Sequence, residues 1–208
     1  MKRILTLITA IAAVCSCCNT PENENCAGKS AIDVIMSRKS VRSFTDEPVT
    51  REQMTIMLKA ASAAPSAINI QPWRFVVLED KSKFDTTFEG NFNMKIFKQA
   101  SAVVVMCAET TVMRSPGEGQ APVAVENRMW RDDLGAATEN FLLAAEALGL
   151  GAVWTACYPY DERMDPVKKA LNLPENVVPY CCIAVGHPAG DNQPKDKWVE
   201  DRVHYEQW

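Results

Sequence analysis

A continuous run of apolar residues at positions 102–107, Ala-Val-Val-Val-Met-Cys, constrains the fold more than any other feature of the chain. A strand with one face in water alternates apolar and polar side chains, whereas an uninterrupted apolar strand is buried on both faces. Further strand-like runs lie at residues 73–78, 152–157 and 178–185, and helical patterns separate them. The chain is therefore predicted to be an α+β protein with about four short strands between helices.

The spacing of apolar side chains predicts the helices. The clearest case is residues 52–63, which follow a suitable N-cap at Thr50. Apolar side chains recur there at the spacing of one helix face: Met54, Met57, Leu58 and Ala61. Further helices are predicted at residues 31–36, 81–88, 94–99, 125–148 and 165–171. Residues 110–122 contain two prolines and two glycines and are predicted to form a loop.

The C-terminal residues 195–208 carry Trp198, Tyr205 and Trp208. A free chain end is seldom so aromatic, because exposed aromatic side chains gain from burial. We therefore expect this tail to pack against another protein surface, such as that of a second subunit.

Charge and histidine content exclude two classes of function. The chain has 22 basic and 26 acidic residues and a formal net charge of −4, so no general basic field is present to hold nucleic acid. Its only histidines are His187 and His204, which rules out a multi-histidine metal site. The eight cysteines lack zinc-ligand spacing, and Cys107, Cys181 and Cys182 lie in apolar runs and are interpreted as small buried hydrophobes.

The N-terminus has the pattern of a secretory signal. Lys2 and Arg3 precede a mainly apolar run at residues 4–14, which is too short to span a bilayer as a helix. The following Val14-Cys15-Ser16-Cys17 resembles a bacterial lipobox, with Cys17 as the lipidated residue. Residues 1–17 are therefore predicted to be a lipoprotein signal peptide, residues 18–30 a flexible polar tether and residues 31–208 the folded domain.

A lipidated Cys17 would anchor the protein in the bacterial cell envelope, and no other part of the chain is expected to contact the membrane. The alternative is that residues 4–14 form a buried first helix or an uncleaved anchor. A protein without a functional signal peptide would remain in the cytoplasm.

A basic motif, Arg38-Lys39-Ser40-Val41-Arg42, begins the folded domain. If the chain is extended here, Arg38, Ser40 and Arg42 point the same way, and two guanidiniums and a hydroxyl form an anion site. The alternative is a basic cluster at a helix C-terminus, where the helix dipole favours cations. Lys195 and Lys197 could join this site, or they could lie on a solvated loop.

A second motif runs from Pro65 to Trp73 and contains Ser66, Asn69 and Gln71. Pro72 keeps Gln71 out of the helical region, so the two amides can face one side. Amides donate and accept hydrogen bonds, which suits the mixed polar edge of a heteroaromatic ring. The alternative is a polar connector between a helix and a strand.

Glycines follow the longest predicted helix, in the stretch Leu148-Gly149-Leu150-Gly151-Ala152-Val153-Trp154-Thr155. Small residues allow a backbone to approach a ligand closely. The default interpretation is a helix cap, because the glycines end a helix here, whereas in a dinucleotide fingerprint they begin one.

Taken together, these motifs resemble the nitroreductase family of FMN-dependent oxidoreductases. The resemblance extends from about residue 31 to residue 208 and rests on the motif at 38–42, the motif at 65–73, the helix and glycines at 132–154 and the ending Arg202-Val203-His204-Tyr205. It implies a three-layer α/β/α sandwich with a mainly antiparallel central sheet flanked by helices. It also implies an intertwined homodimer with two FMN molecules at the subunit interface.

The resemblance further implies the residues that contact FMN. Arg38, Ser40 and Arg42 match the opening motif, Lys39 contacts through its backbone, and Lys195 and Lys197 match a late basic pair at the phosphate. The loop that reaches FMN from the partner chain is matched by Ser66, Asn69 and Gln71. The strand beside the flavin is matched by Gly151, Trp154 and Thr155, with Arg202 as a further candidate.

The function implied is hydride transfer from a reduced donor, usually NAD(P)H, through the flavin N5 to an electron-poor small molecule such as a nitroaromatic or a quinone. The flavin supplies the redox chemistry, so no side chain needs to act as a nucleophile or general acid. The rival hypothesis is a lipid-anchored protein that binds a flavin or another ligand without turnover. A metal-dependent hydrolase is disfavoured by the missing ligand set.

Overall fold

An antiparallel four-stranded sheet forms the centre of the fold in a computed structural model, which describes residues 29–91 and 93–208. The strands are β1 (Trp73–Leu78), β2 (Ala102–Glu109), β3 (Thr111–Arg114), β4 (Val123–Glu126), β5 (Gly151–Ala156) and β6 (Val177–Gly186). The helices are α1 (Ala31–Ser37), α2 (Arg51–Ser62), α3 (Phe84–Thr87), α4 (Met94–Gln99), α5 (Trp130–Ala147) and α6 (Asp161–Leu171). The sheet has the order β1-β2-β6-β5. The predicted signal peptide with Cys17, and the tether up to residue 28, lie outside the described residues.

Both faces of the sheet are covered, as the apolar run predicts. Residues 102–108 of β2 are all buried. On one face, Val104 and Met106 pack in a core with α2 and α5, and on the other, Val103 and Val105 pack with α3, α4 and α6. The arrangement is a three-layer α/β/α sandwich with an antiparallel sheet, which confirms the expected fold class.

The longest helix, α5, begins later than predicted. Residues 123–126 form β4, which pairs antiparallel with β3, so the helix starts at Trp130 rather than at residue 125. The backbone N–H of Asn127 donates to the Thr110 carbonyl at 2.9 Å, which fixes the chain outside the helical conformation at this point. The predicted loop at 110–122 is therefore partly wrong, because its first residues form one strand of a β-hairpin.

Helix α6 begins at Asp161, four residues before the predicted start. Asp161 and Glu162 occupy its first turn, where carboxylates interact favourably with the helix dipole. Met164 and Val167 are buried against the sheet. Pro166 lies inside the helix, where it cannot donate a backbone hydrogen bond. Burial of Met164 and Val167 outweighs this loss, so the helix starts before the proline and the predicted start at residue 165 was wrong.

The cysteines of the sheet are buried, as predicted for Cys107, Cys181 and Cys182, and so is Cys157. Burial raises the pKa of Cys107 to about 12, and burial raises the pKa of Cys181 as well. A thiol that stays protonated at neutral pH is a poor nucleophile and a poor metal ligand. These side chains act as part of the core.

The three aromatic side chains of the C-terminal tail are largely exposed in the single chain. Trp198, Tyr205 and Trp208 are 71%, 85% and 100% exposed. Packing of the tail on a second subunit stays a prediction. Separately, none of the helices in the described part of the chain has both the length and the apolar character needed to cross a membrane.

Candidate functional site

The basic motif at 38–42 is extended, as the sequence analysis required for an anion site. Helix α1 ends at Ser37, and Arg38 has φ −58° and ψ 133°. Ser40 forms a parallel bridge with Ala152 at the edge of β5, and the Val41 N–H donates to the Ala152 carbonyl at 3.0 Å. The helix-end alternative does not account for this, because Ser40 and Arg42 lie beyond the helix in extended chain.

The motif and the late lysines meet around one cavity of ≈ 130 Å³, here called the anion cavity. The sequence separates these two groups widely, and the fold brings them together. The cavity is lined by Arg38, Lys39, Ser40, Arg42, Gln193, Lys195 and Lys197. Gln193 was missed by sequence reasoning, and its only signal is its position next to Pro194-Lys195.

Positive charge in the anion cavity is only partly neutralised by the protein. Arg38 pairs with Glu139, with 3.3 Å between Nε and Oε1. Within residues 29–91 and 93–208, no carboxylate forms an ion pair with Arg42, Lys195 or Lys197. Converging cations repel one another, so a dianion bound among them is favoured, and guanidiniums suit phosphate oxygens in particular.

The ammonium of Lys39 is held by Glu146, near the end of α5. Lys39 Nζ lies 3.2 Å from Oε2, Ser37 Oγ donates to Oε1 at 3.0 Å, and Lys29 Nζ donates to Oε1 at 2.9 Å. The Glu146 side chain is only 7% exposed. Burial by itself raises the pKa of Glu146, but the hydrogen bonds from Lys29, Ser37 and Lys39 outweigh it and leave the pKa below its usual range.

The second motif forms a tight loop that brings its amides together. Gln71 Nε2 donates to Asn69 Oδ1 at 2.8 Å, and the Gln71 N–H donates to Ser66 Oγ at 2.9 Å. Asn69 and Gln71 have φ of 59° and 54°, in the left-handed region. The two amides therefore lie next to each other, and their use as partners of a ring stays a prediction. Neither they nor Ser66 line the anion cavity of the same chain.

A buried carboxylate that sequence reasoning missed holds this loop on the fold. Asp133 Oδ1 accepts a hydrogen bond from the Ala67 N–H at 2.8 Å, and the residue is 4% exposed. Its Oδ2 has no partner among the described residues. The available signal was an acidic residue in the first turn of α5, a position that usually reflects the helix dipole alone.

The glycine-rich stretch ends α5 and begins β5. Gly149, with φ 72°, follows the end of α5 and matches the helix-cap interpretation. Gly151 allows a close approach, but the neighbour is Val41: a Cβ on Gly151 would lie 2.7 Å from the Val41 Cβ.

The side chains of Trp154 and Thr155 in β5 contact other residues of the chain. Trp154 packs edge-on against Tyr180, with 5.5 Å between ring centroids. Thr155 is buried, and its Oγ1 accepts a hydrogen bond from Asn93 Nδ2 at 2.9 Å. Neither of them, nor Gly151, lines the anion cavity, and Arg202 is exposed in a short turn at 200–202.

Comparison with known proteins gives one consistent result. Residues 35–187 match the model of the Nitroreductase family. A protein of Archaeoglobus fulgidus named for NADH dehydrogenase or NAD(P)H nitroreductase activity is 35% identical over 183 residues, which cover 86% of this chain and 99% of that protein.

Solved structures agree with this match. A Bacteroides thetaiotaomicron protein, described by the same two activities, has a TM-score of 0.77 and 40% identity, covering 87% of this chain and 99% of that one. A nitroreductase of Desulfovibrio desulfuricans in complex with FMN has a TM-score of 0.71 and 28% identity, covering 86% of this chain and 98% of that one.

Proposed function

The chain belongs to the nitroreductase family and is an FMN-dependent oxidoreductase, and we propose that it reduces electron-poor small molecules such as nitroaromatics or quinones with NAD(P)H as donor. When bound, FMN supplies the hydride chemistry at its N5. The protein binds and orients the cofactor and the acceptor.

The observation that carries the proposal is the anion cavity. An FMN phosphate is a dianion, and the cavity offers two guanidiniums, a hydroxyl and two ammoniums within one concave surface. Three of these four cations lack an ion-pair partner among the described residues, so the donor set fits the phosphate. Arg38, Ser40, Arg42, Lys195 and Lys197 would hold it, with Lys39 contributing its backbone.

We further propose that the active unit is a homodimer in which the partner completes the site. Helix α1 leaves three large apolar side chains exposed, those of Ile32, Ile35 and Met36. The aromatic side chains of the C-terminal tail are exposed as well. Large apolar side chains left in water favour association. Ser66, Asn69 and Gln71 of the partner would then meet the polar edge of the flavin.

Turnover is tested with the purified full-length protein. We expect a yellow protein that is bleached by NADH or NADPH and regains its colour when menadione is added. Dithionite serves as a donor-independent control that the bound flavin is reducible. Colour that dithionite bleaches but neither nucleotide bleaches would contradict an NAD(P)H-linked enzyme and would favour the binding protein without turnover.

We also propose that Cys17 carries a lipid that anchors the enzyme in the cell envelope, on the support of the lipobox-like sequence alone. Expressed in a bacterium, the wild-type chain is expected to partition into the detergent phase on Triton X-114 separation, and Cys17→Ser into the aqueous phase. Cys26→Ser, in the predicted tether, is the matched control and should behave as wild type. A wild-type chain that stays in the aqueous phase and retains Met1 would contradict the anchor.

A further inference from the structure

Glu146 occupies a position that helix stability does not explain. It lies in the last turn of α5, where the helix dipole disfavours a negative charge and where no basic residue is present. Its side chain is 7% exposed, and a buried carboxylate is costly unless hydrogen bonds compensate it. The hydrogen bonds compensate the burial of Glu146, but the helix dipole gives no reason for a glutamate at this position.

All three donors to Glu146 come from a single stretch of chain. Lys29, Ser37 and Lys39 lie just before α1, at its end and just after it. Apolar packing holds this helix weakly, because Val34 is its only buried residue. The Glu146 carboxylate therefore links α1 and its flanking residues to α5, beside the ion pair of Arg38 with Glu139.

The link sets the direction of the basic motif. In extended chain, neighbouring side chains point to opposite sides. With the Lys39 ammonium bound at 3.2 Å by Glu146, Arg38 and Ser40 line the anion cavity, which Lys39 itself also borders. Glu139 holds the Arg38 guanidinium at 3.3 Å. The bridge from Ser40 to Ala152 fixes the other end of the same segment.

We propose that Glu146 is a positioning residue for the cofactor phosphate: by holding Ser37 and Lys39 it aims Arg38 and Ser40 into the anion cavity. The inference rests on the proposed FMN site. Glu146 touches neither cofactor nor substrate and acts through the chain segment that it anchors.

The test compares FMN with riboflavin, which has the same ring and no phosphate. Both dissociation constants are measured by flavin fluorescence on the full chain stripped of cofactor. In Glu146→Gln we expect the preference for FMN over riboflavin to fall by about tenfold, the effect of losing one charge-assisted contact to phosphate. Affinity for riboflavin should stay within about twofold of wild type, because the ring contacts are unchanged.

Lys39→Met breaks the same link from the other side, leaves Glu146 paired with Lys29 and Ser37, and is expected to lower the preference similarly. If the two residues act as one unit, the double variant should lose no more than either single variant. Glu79→Gln, which removes the exposed ion pair with Arg51 at 2.9 Å, is the control and should keep the wild-type preference.

Equal losses for FMN and riboflavin in both single variants would mean a general folding defect and would overturn the proposal, as would an unchanged preference. Additive losses in the double variant would assign Lys39 its own contact and would also overturn it. A wild-type protein that does not prefer FMN over riboflavin would overturn the phosphate site itself, and the inference with it.

Discussion

Replacing both Arg38 and Arg42 by alanine is expected to leave a folded protein that binds FMN at least about a hundredfold more weakly. Each charge-assisted hydrogen bond to a phosphate contributes roughly 1.5–3 kcal/mol, and each 1.4 kcal/mol is about tenfold in affinity. Arg42 is exposed and Arg38 is partly exposed, so their loss leaves no cavity in the core. The measurement is FMN titration of the cofactor-free protein, with circular dichroism to check the fold.

A matched control removes two cations of the surface that lie in ion pairs away from the cavity. Arg51 pairs with Glu79 at 2.9 Å and Lys98 with Asp85 at 2.6 Å. Replacing both by alanine changes the net charge equally and should leave FMN affinity within about twofold, since exposed ion pairs contribute little. Wild-type affinity in the Arg38 and Arg42 variant would refute the assignment of these residues to the phosphate.

Gly151→Ala is expected to lower the free energy of unfolding by roughly 1–3 kcal/mol, the usual cost of overpacking. The new Cβ would lie 2.7 Å from both Cβ and Cγ1 of Val41, closer than real atoms approach. Because the clash involves the Val41 Cβ, Val41 can give way only by moving its backbone, whose N–H is hydrogen-bonded to the Ala152 carbonyl. Such a movement would also shift the neighbouring residues Ser40 and Arg42. We therefore expect FMN affinity to fall together with stability, as measured by urea unfolding and by FMN titration.

The control is the same substitution elsewhere in the chain. A Cβ on Gly135, inside α5, would meet only the Tyr180 hydroxyl at 3.7 Å, an ordinary contact. Gly135→Ala should stabilise the protein by roughly 0.5–1 kcal/mol, because alanine favours the helix. If Gly151→Ala unfolds at the wild-type urea concentration and binds FMN normally, the packing of the basic motif against β5 does not control the site.

Local sequence patterns predicted those elements whose structure is decided locally or by uniform burial. Residues 73–78 and 94–99 form β1 and α4 with the predicted bounds. The apolar run at 102–107 correctly predicted a strand covered on both faces. The start of α5 was wrong because residues 123–126 are held as a strand by pairing with residues 111–114, and such pairing depends on contacts that periodicity does not report.

The site was predictable in its residue types and less so in its arrangement. Arg38, Ser40 and Arg42 alternate along the chain, so an extended conformation is enough to place their side chains on one side. That Lys195 and Lys197 share their cavity follows from the fold; the residues alone also left a solvated loop open, and the family resemblance favoured the shared site. Glu146 gave no signal, because a single glutamate near a helix end belongs to no motif until its three partners are known.

The central claim is that the anion cavity between the basic motif and the late lysines holds the FMN phosphate. A crystal structure of the protein with bound FMN tests it most directly. We predict the phosphate within hydrogen-bonding distance of Arg38, Ser40 and Arg42, with Lys195 or Lys197 beside it. A phosphate bound elsewhere, with these side chains directed into solvent, would contradict the account.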